Sequence, residues 1–150
     1  MALALIDSPK IKPAGTFRLR VFRAGRLVED WCEPNLVVGG ASAIHALLVG
    51  GSFANNNVTQ IGFGTGLLAP VAGNTTLTGA YTKALDSVTW PLAGQVQFNF
   101  SLGSAEDNGA AIGEIGLFTA GGVLYARKVR SAALNKAADI ALSGSWTISF

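Results

Sequence analysis

The sequence is short of charge. From Pro34 to Thr82, 49 consecutive residues contain no Asp, Glu, Lys or Arg, and only His45 titrates among them. Charged residues make up 13% of the whole chain, whereas an ordinary domain surface is about 25–35% charged. The mean hydropathy is +0.40. A soluble monomer relies on interspersed charge to stay apart from its neighbours. This composition therefore argues against a freely diffusing enzyme and for a surface covered by copies of the chain or by partners.

Other residue types are nearly missing. Cys32 is the only cysteine, which excludes an intrachain disulfide and leaves nothing that demands an oxidising compartment. It reads as a small apolar filler rather than a nucleophile. The most apolar window, residues 36–49, holds two glycines and a histidine and is too short to span a bilayer. The opening MALALIDSPK lacks the basic region and apolar stretch of a signal peptide. A soluble chain made in the cytoplasm, with no membrane partner, is expected.

The same scarcity thins out the chemistry. A nucleophilic triad or Cys-His pair would have to run through His45, the sole histidine. It falls in a helical stretch among apolar neighbours, where a half-buried structural ring is expected. A zinc site would need carboxylates for most of its ligands. Glu106-Asp107-Asn108 lacks the alternating spacing of a calcium loop and reads as a polar hairpin tip. Gly62-Phe63-Gly64-Thr65-Gly66 is neither a dinucleotide fingerprint nor a P-loop, and reads as a strand end whose backbone packs closely or turns. No catalytic residue, metal or cofactor is expected, which disfavours an enzyme as a class.

What is present is glycine and β-pattern. The 19 glycines exceed the usual share of about 7%, and Ser, Thr and Asn are spread between them. Phe17, Leu19 and Val21 alternate with Arg18 and Arg20, and Ala24-Gly25 turns the chain into residues 26–31 as a hairpin. Asn35 reads as a cap or turn. Residues 41–49 form the one helix candidate, with Ala41, Ile44 and Leu48 on a stripe, His45 off it and Gly50-Gly51 as a stop. Strands follow at 58–63, 81–90, 95–102, 112–118, 123–129 and 140–150. In 95–102, Val96, Phe98, Phe100 and Leu102 share a face, and in 140–150 so do Ile140, Leu142, Gly144, Trp146, Ile148 and Phe150. About eight strands and one short helix predict an all-β antiparallel sandwich or jelly roll over residues 16–150. Residues 1–15, with Pro9 and Pro13, predict an extended N-terminal arm.

The positive charge is gathered early. Lys10, Lys12, Arg18, Arg20, Arg23 and Arg26 occur with no acid between them. A solvated or interface-facing strand is the simplest reading, and sparse aromatic interleaving makes nucleic acid an unlikely partner. The apolar tip Leu3, Leu5, Ile6 reads either as a docking element or as a frayed end. A docking arm would comprise Leu3, Leu5, Ile6, Lys10, Lys12, Arg18 and Arg20. One acid stands apart: Glu114 lies between Gly113 and Gly116 in an otherwise apolar strand, where a carboxylate is costly unless paired. Arg127 on the next strand is its natural partner, a structural ion pair across the hairpin.

Three blocks carry a resemblance. They are Asn35-Leu-Val-Val-Gly-Gly-Ala-Ser-Ala-Ile44; Val58-Thr-Gln-Ile-Gly-Phe-Gly-Thr-Gly66 with Asn74-Thr-Thr-Leu77; and Gly113-Glu-Ile-Gly-Leu-Phe118, Leu124-Tyr-Ala-Arg127, Lys136-Ala-Ala-Asp-Ile140 and Trp146-Thr-Ile-Ser-Phe150. Together they resemble a family of small phage and prophage virion structural proteins: capsid-decorating, baseplate or tail-fibre-associated. The resemblance implies no catalytic residues. A short chain without a repetitive shaft fits a minor capsid or decoration protein better than a fibre. The expected partners are further copies, as a homotrimer, and the major capsid protein or another virion protein, with the virion as location. The alternatives are a small tail or baseplate component, and a carbohydrate-binding receptor module using Trp31, Trp90 or Trp146.

Overall fold

The computed structural model describes residues 13–38 and 41–150. The elements run β1 (Ala14–Arg23), β2 (Arg26–Val37), α1 (Ala41–Val49), β3 (Val58–Gly64), β4 (Tyr81–Ala84), β5 (Ser87–Thr89), β6 (Gln95–Leu102), β7 (Ala111–Thr119), β8 (Leu124–Asn135) and β9 (Ile140–Ser149). The strands are hydrogen-bonded in the order β4-β3-β7-β8-β2-β1-β9-β6-β5, every pair antiparallel.

The long strand β2 belongs to both halves. Arg26 to Asn35 pair with β1, and then Leu36 and Val37 pair with Arg127 and Ala126 of β8. The sheet thus folds at β2 into two layers, β5-β6-β9-β1-β2 and β2-β8-β7-β3-β4. One apolar core lies between them, joining Phe17, Phe100 and Trp146 of the first layer to Phe63, Ile115 and Leu117 of the second. Phe63 meets Phe100 edge-on, with ring centroids 6.3 Å apart. The architecture is the expected all-β sandwich, with nine strands.

Local chemistry explains the joints. Ala24 and Gly25 both have positive φ, 49° and 76°, the backbone that a tight hairpin turn with right-handed strand twist requires. Alternation along β6 and β9 buries Phe98, Phe100 and Leu102 against Ile140, Leu142, Trp146 and Ile148. Burying a side chain of this size contributes about 1.5–3 kcal/mol, so this inner face accounts for a large part of the first layer's stability. On β7, residues 112–119 are all buried, so that strand is covered on both faces.

The structure departs from the sequence reading in four places. Residues 81–90 are two strands: the Leu85 amide donates to Thr59 of β3, while the Asp86 amide donates to Asn99 of β6. The chain crosses from one layer to the other between these two residues. Asn35 is neither cap nor turn but lies inside β2, opposite Gly15. Cys32 is exposed and so fills no core: it sits opposite Arg18 on the outward face of the layer. β1 begins at Ala14, ahead of the boundary expected at Thr16. Leu3, Leu5, Ile6, Lys10 and Lys12 lie outside the described residues.

Candidate functional site

Two sites stand out, a buried polar clasp on the outer face of the second layer and an apolar cleft beside α1. The clasp is built on β7 and β8. Glu114 is opposite Val129, and Arg127 is opposite Gly116, so the two side chains meet on the diagonal. Arg127 Nε donates to Glu114 Oε2 at 2.7 Å, with the side chains 6% and 1% exposed. At that burial an unpaired charge would be strongly unfavourable. Here both members find further hydrogen-bond partners. Glu114 Oε1 accepts from the amides of Gly66 and Thr78. The guanidinium donates further to Asn74 Oδ1 and to the Leu68 carbonyl, both at 3.0 Å.

The effect is to tie down the long segment between β3 and β4. Its two ends are held by one carboxylate, its middle by one guanidinium, and Leu77 plugs a second apolar cluster with Val38, Phe118 and Leu124. The glycines read as a strand end make this possible. A Cβ on Gly64 or Gly66 would stand 2.6 or 2.7 Å from Glu114 Oε1, and one on Gly62 would stand 2.6 Å from the Phe118 ring. Clasped in this way, the segment presents Leu67, Leu68 and Val71 to solvent, Leu68 at 83% exposure.

A second polar corner closes the β6–β7 connection. Glu106 accepts from Lys83 Nζ at 2.9 Å and from the Gly103 amide, and these donors hold its carboxyl below the usual range. Lys136 is buried; its ammonium donates to Asn108 Oδ1, Ser104 O and Ala137 O. Burial lowers its pKa. Sequence reading took Glu106-Asp107-Asn108 for a plain polar tip and missed the buried lysine behind it.

The cleft, about 570 Å³, runs between α1 and the β5–β6 edge. Its apolar walls are Ile44, Leu48, Val88, Trp90, Phe98 and Phe150, and among the described residues no charged side chain lines it. At its inner end His45 Nε2 and the Tyr125 hydroxyl share a 2.6 Å hydrogen bond. Desolvation lowers the His45 pKa and raises that of Tyr125, so both are neutral near pH 7. His45 is half-buried, as its position off the helix stripe predicts.

Arg18 and Arg20 lie side by side on the outward face of the first layer, among Gln97, Asn99, Ser143 and Ser145. One carboxylate of the neighbouring strand faces both: Asp30 accepts from Arg18 at 3.0 and 2.7 Å, and lies 3.7 Å from Arg20 Nε. Of the three tryptophans, Trp146 is in the core and its Nε1 donates to Asn35 Oδ1 at 2.6 Å. Trp31 lies under Lys128 and Arg130. Trp90 is 73% exposed at the cleft.

Among the described residues no three His, Cys, Asp or Glu side chains are grouped to hold a metal ion, and no helix is long and apolar enough to cross a membrane. No protein-family model matches the chain, and neither a curated protein nor a solved structure matches it.

Proposed function

We propose that the protein is a non-enzymatic structural component of a phage particle, a minor capsid or decoration protein that assembles with copies of itself, as a trimer, on the capsid shell. The observation that carries this reading is the distribution of charge over a folded surface. Among the described residues, six of the twelve exposed large apolar side chains (Leu47, Val49, Phe53, Leu67, Leu68, Val71) fall within the charge-free segment. Scattered apolar residues are ordinary on any surface. Here they lack the interspersed charge that keeps neighbouring molecules apart.

The charge that exists is largely neutralised within the chain. Glu29, Asp30, Glu33, Glu106, Glu114 and Asp139 each pair with an Arg or Lys. What faces outward is paired charge, Ser, Thr, Asn and Gln, and exposed apolar side chains, a surface low in the unpaired positive charge that a nucleic-acid site needs. The particle itself is supplied by the resemblance to virion proteins, and the clasp gives that reading a rigid apolar loop to present.

The test is co-sedimentation of the purified protein with phage capsid shells, alongside a chain lacking residues 2–13. The full chain sediments with shells, and the shortened chain stays in the supernatant while keeping its β circular dichroism. Equal sedimentation of both removes the arm from the account. If neither chain sediments with shells but the full chain binds tail assemblies, the tail-component alternative replaces it. A receptor module is the second reading, favoured by Trp90 standing exposed beside Gln95. Binding of host glycans, lost on Trp90→Ala, would establish it.

A further inference from the structure

We infer that the cleft beside α1 is the seat for residues 3–6 of a neighbouring copy, so that the copies are joined by exchanged arms. This deepens the self-assembly reading and rests on it. Three observations lead to it.

The first is the chemistry of the cleft. An open concavity with apolar walls and no charged side chain among its described lining residues gains from an apolar occupant that displaces water. Its polar pair, His45 and Tyr125, is already satisfied internally and asks nothing of the occupant but shape.

The second is where the arm starts. Ala14 is opposite Ser149 at the end of β9, and the next residue, Phe150, forms part of the cleft wall with its amide bonded to the Gly94 carbonyl. The chain preceding Pro13 therefore departs beside the cleft. Twelve residues precede it, and Leu3, Leu5 and Ile6 are the large aliphatic residues toward its start. Fully extended, twelve residues span about 40 Å.

The third is reach. The cleft lies at the root of the arm, and Ile6 is seven residues upstream of Pro13, a stretch that can span at most about 25 Å. That length lets the apolar tip reach the cleft of an adjoining copy, and the weakly charged surface lets such a copy come close. Such a contact joins two different patches and propagates until a ring closes, which is how a trimer would form.

Disulfide trapping in the full-length chain tests this. On a Cys32→Ser background, one chain carries Leu5→Cys and a second, enlarged by a tag, carries Asn57→Cys at the cleft rim. Mixed and oxidised, they should give a disulfide-linked pair of mixed mass, absent when the second cysteine is at Ser131 on β8. Leu5→Asp with Ile6→Asp should abolish the oligomer while leaving the circular dichroism unchanged. A protein that stays oligomeric without the mixed disulfide overturns the exchanged arm and leaves self-assembly standing. A disulfide found only within one chain, in a Leu5→Cys, Asn57→Cys double variant, overturns the exchange as well. A monomer at every concentration overturns both readings.

Discussion

Arg127 reaches Glu114 diagonally across the β7–β8 hairpin, Nε to Oε2 at 2.7 Å, and between them the two side chains hold four points of the β3–β4 segment. The pair is a fastening rather than a reaction centre: each of its atoms with a described partner faces an amide, a carbonyl or a side-chain amide. Removing one member of a buried pair costs about 3–5 kcal/mol, because the other charge stays behind unpaired. Glu114→Gln is expected to lower the melting temperature by about 2–4 °C for each kcal/mol lost, measured by calorimetry at fixed protein concentration. Arg127→Met in the Glu114→Gln background should cost much less than it does alone. Equal costs would mean the two residues act independently.

Leu77 is the apolar half of the same fastening. It is buried against Phe118, Val38 and Leu124, above Gly62 and Gly116. Leu77→Ala should cost about 2–5 kcal/mol and make the segment around Leu68 the first site of limited proteolysis. Cleavage at unchanged positions would show that the loop does not depend on this plug.

Trp146 carries the corresponding polar dependence in the first layer. Its ring is fully buried and its N–H donates to Asn35, while a Cβ on Gly15 would overlap the Asn35 amide. Asn35→Ala leaves a buried donor unsatisfied, worth about 1–3 kcal/mol. Gly15→Ala should produce a similar loss by pushing the amide away, visible as a shift in tryptophan emission. A neutral Gly15→Ala would mean the strand relaxes around the methyl group.

His45 gives the protein a pH dependence of known sign. Burial lowers its pKa in the folded state below the unfolded value of 6.5, so the unfolded chain binds the proton more readily. Stability contributed by the neutral ring is present above about pH 6.5 and falls as the pH drops through that value toward the folded pKa. Among the described residues Tyr125 is the titratable group facing it, and none of the cleft's lining is a carboxylate that would hold the charged form. Melting between pH 7.5 and 5.5 should show a decline that His45→Gln removes. An identical decline in the variant would assign it to other groups.

The sequence made the strands of the core plain because alternation is a local property: Val96 to Leu102 and Ile140 to Ile148 announce their inner faces without reference to any partner. Glu114 was legible too, since a lone carboxylate between glycines in an apolar strand must be paired, and Arg127 is close along the chain. What stayed hidden depends on contacts between distant segments. The crossing between Leu85 and Asp86 was invisible because both halves of residues 81–90 have strand composition and only their partners differ. Cys32 was misplaced because cysteine is apolar enough for either face, and the pairing opposite Arg18 decides. The cleft combines α1, the β5–β6 edge and Phe150, three places that no spacing rule connects. Lys136 was hidden for the same reason, as its acceptors come from another loop.

The most direct test of the central claim, that this weakly charged surface is made to be covered by copies of itself, is the mass of the purified full-length chain by light scattering across a range of concentrations. A mass of three chains that persists on dilution is the predicted result. A single-chain mass at every concentration would contradict the claim and leave the exposed apolar loop and cleft to some other partner.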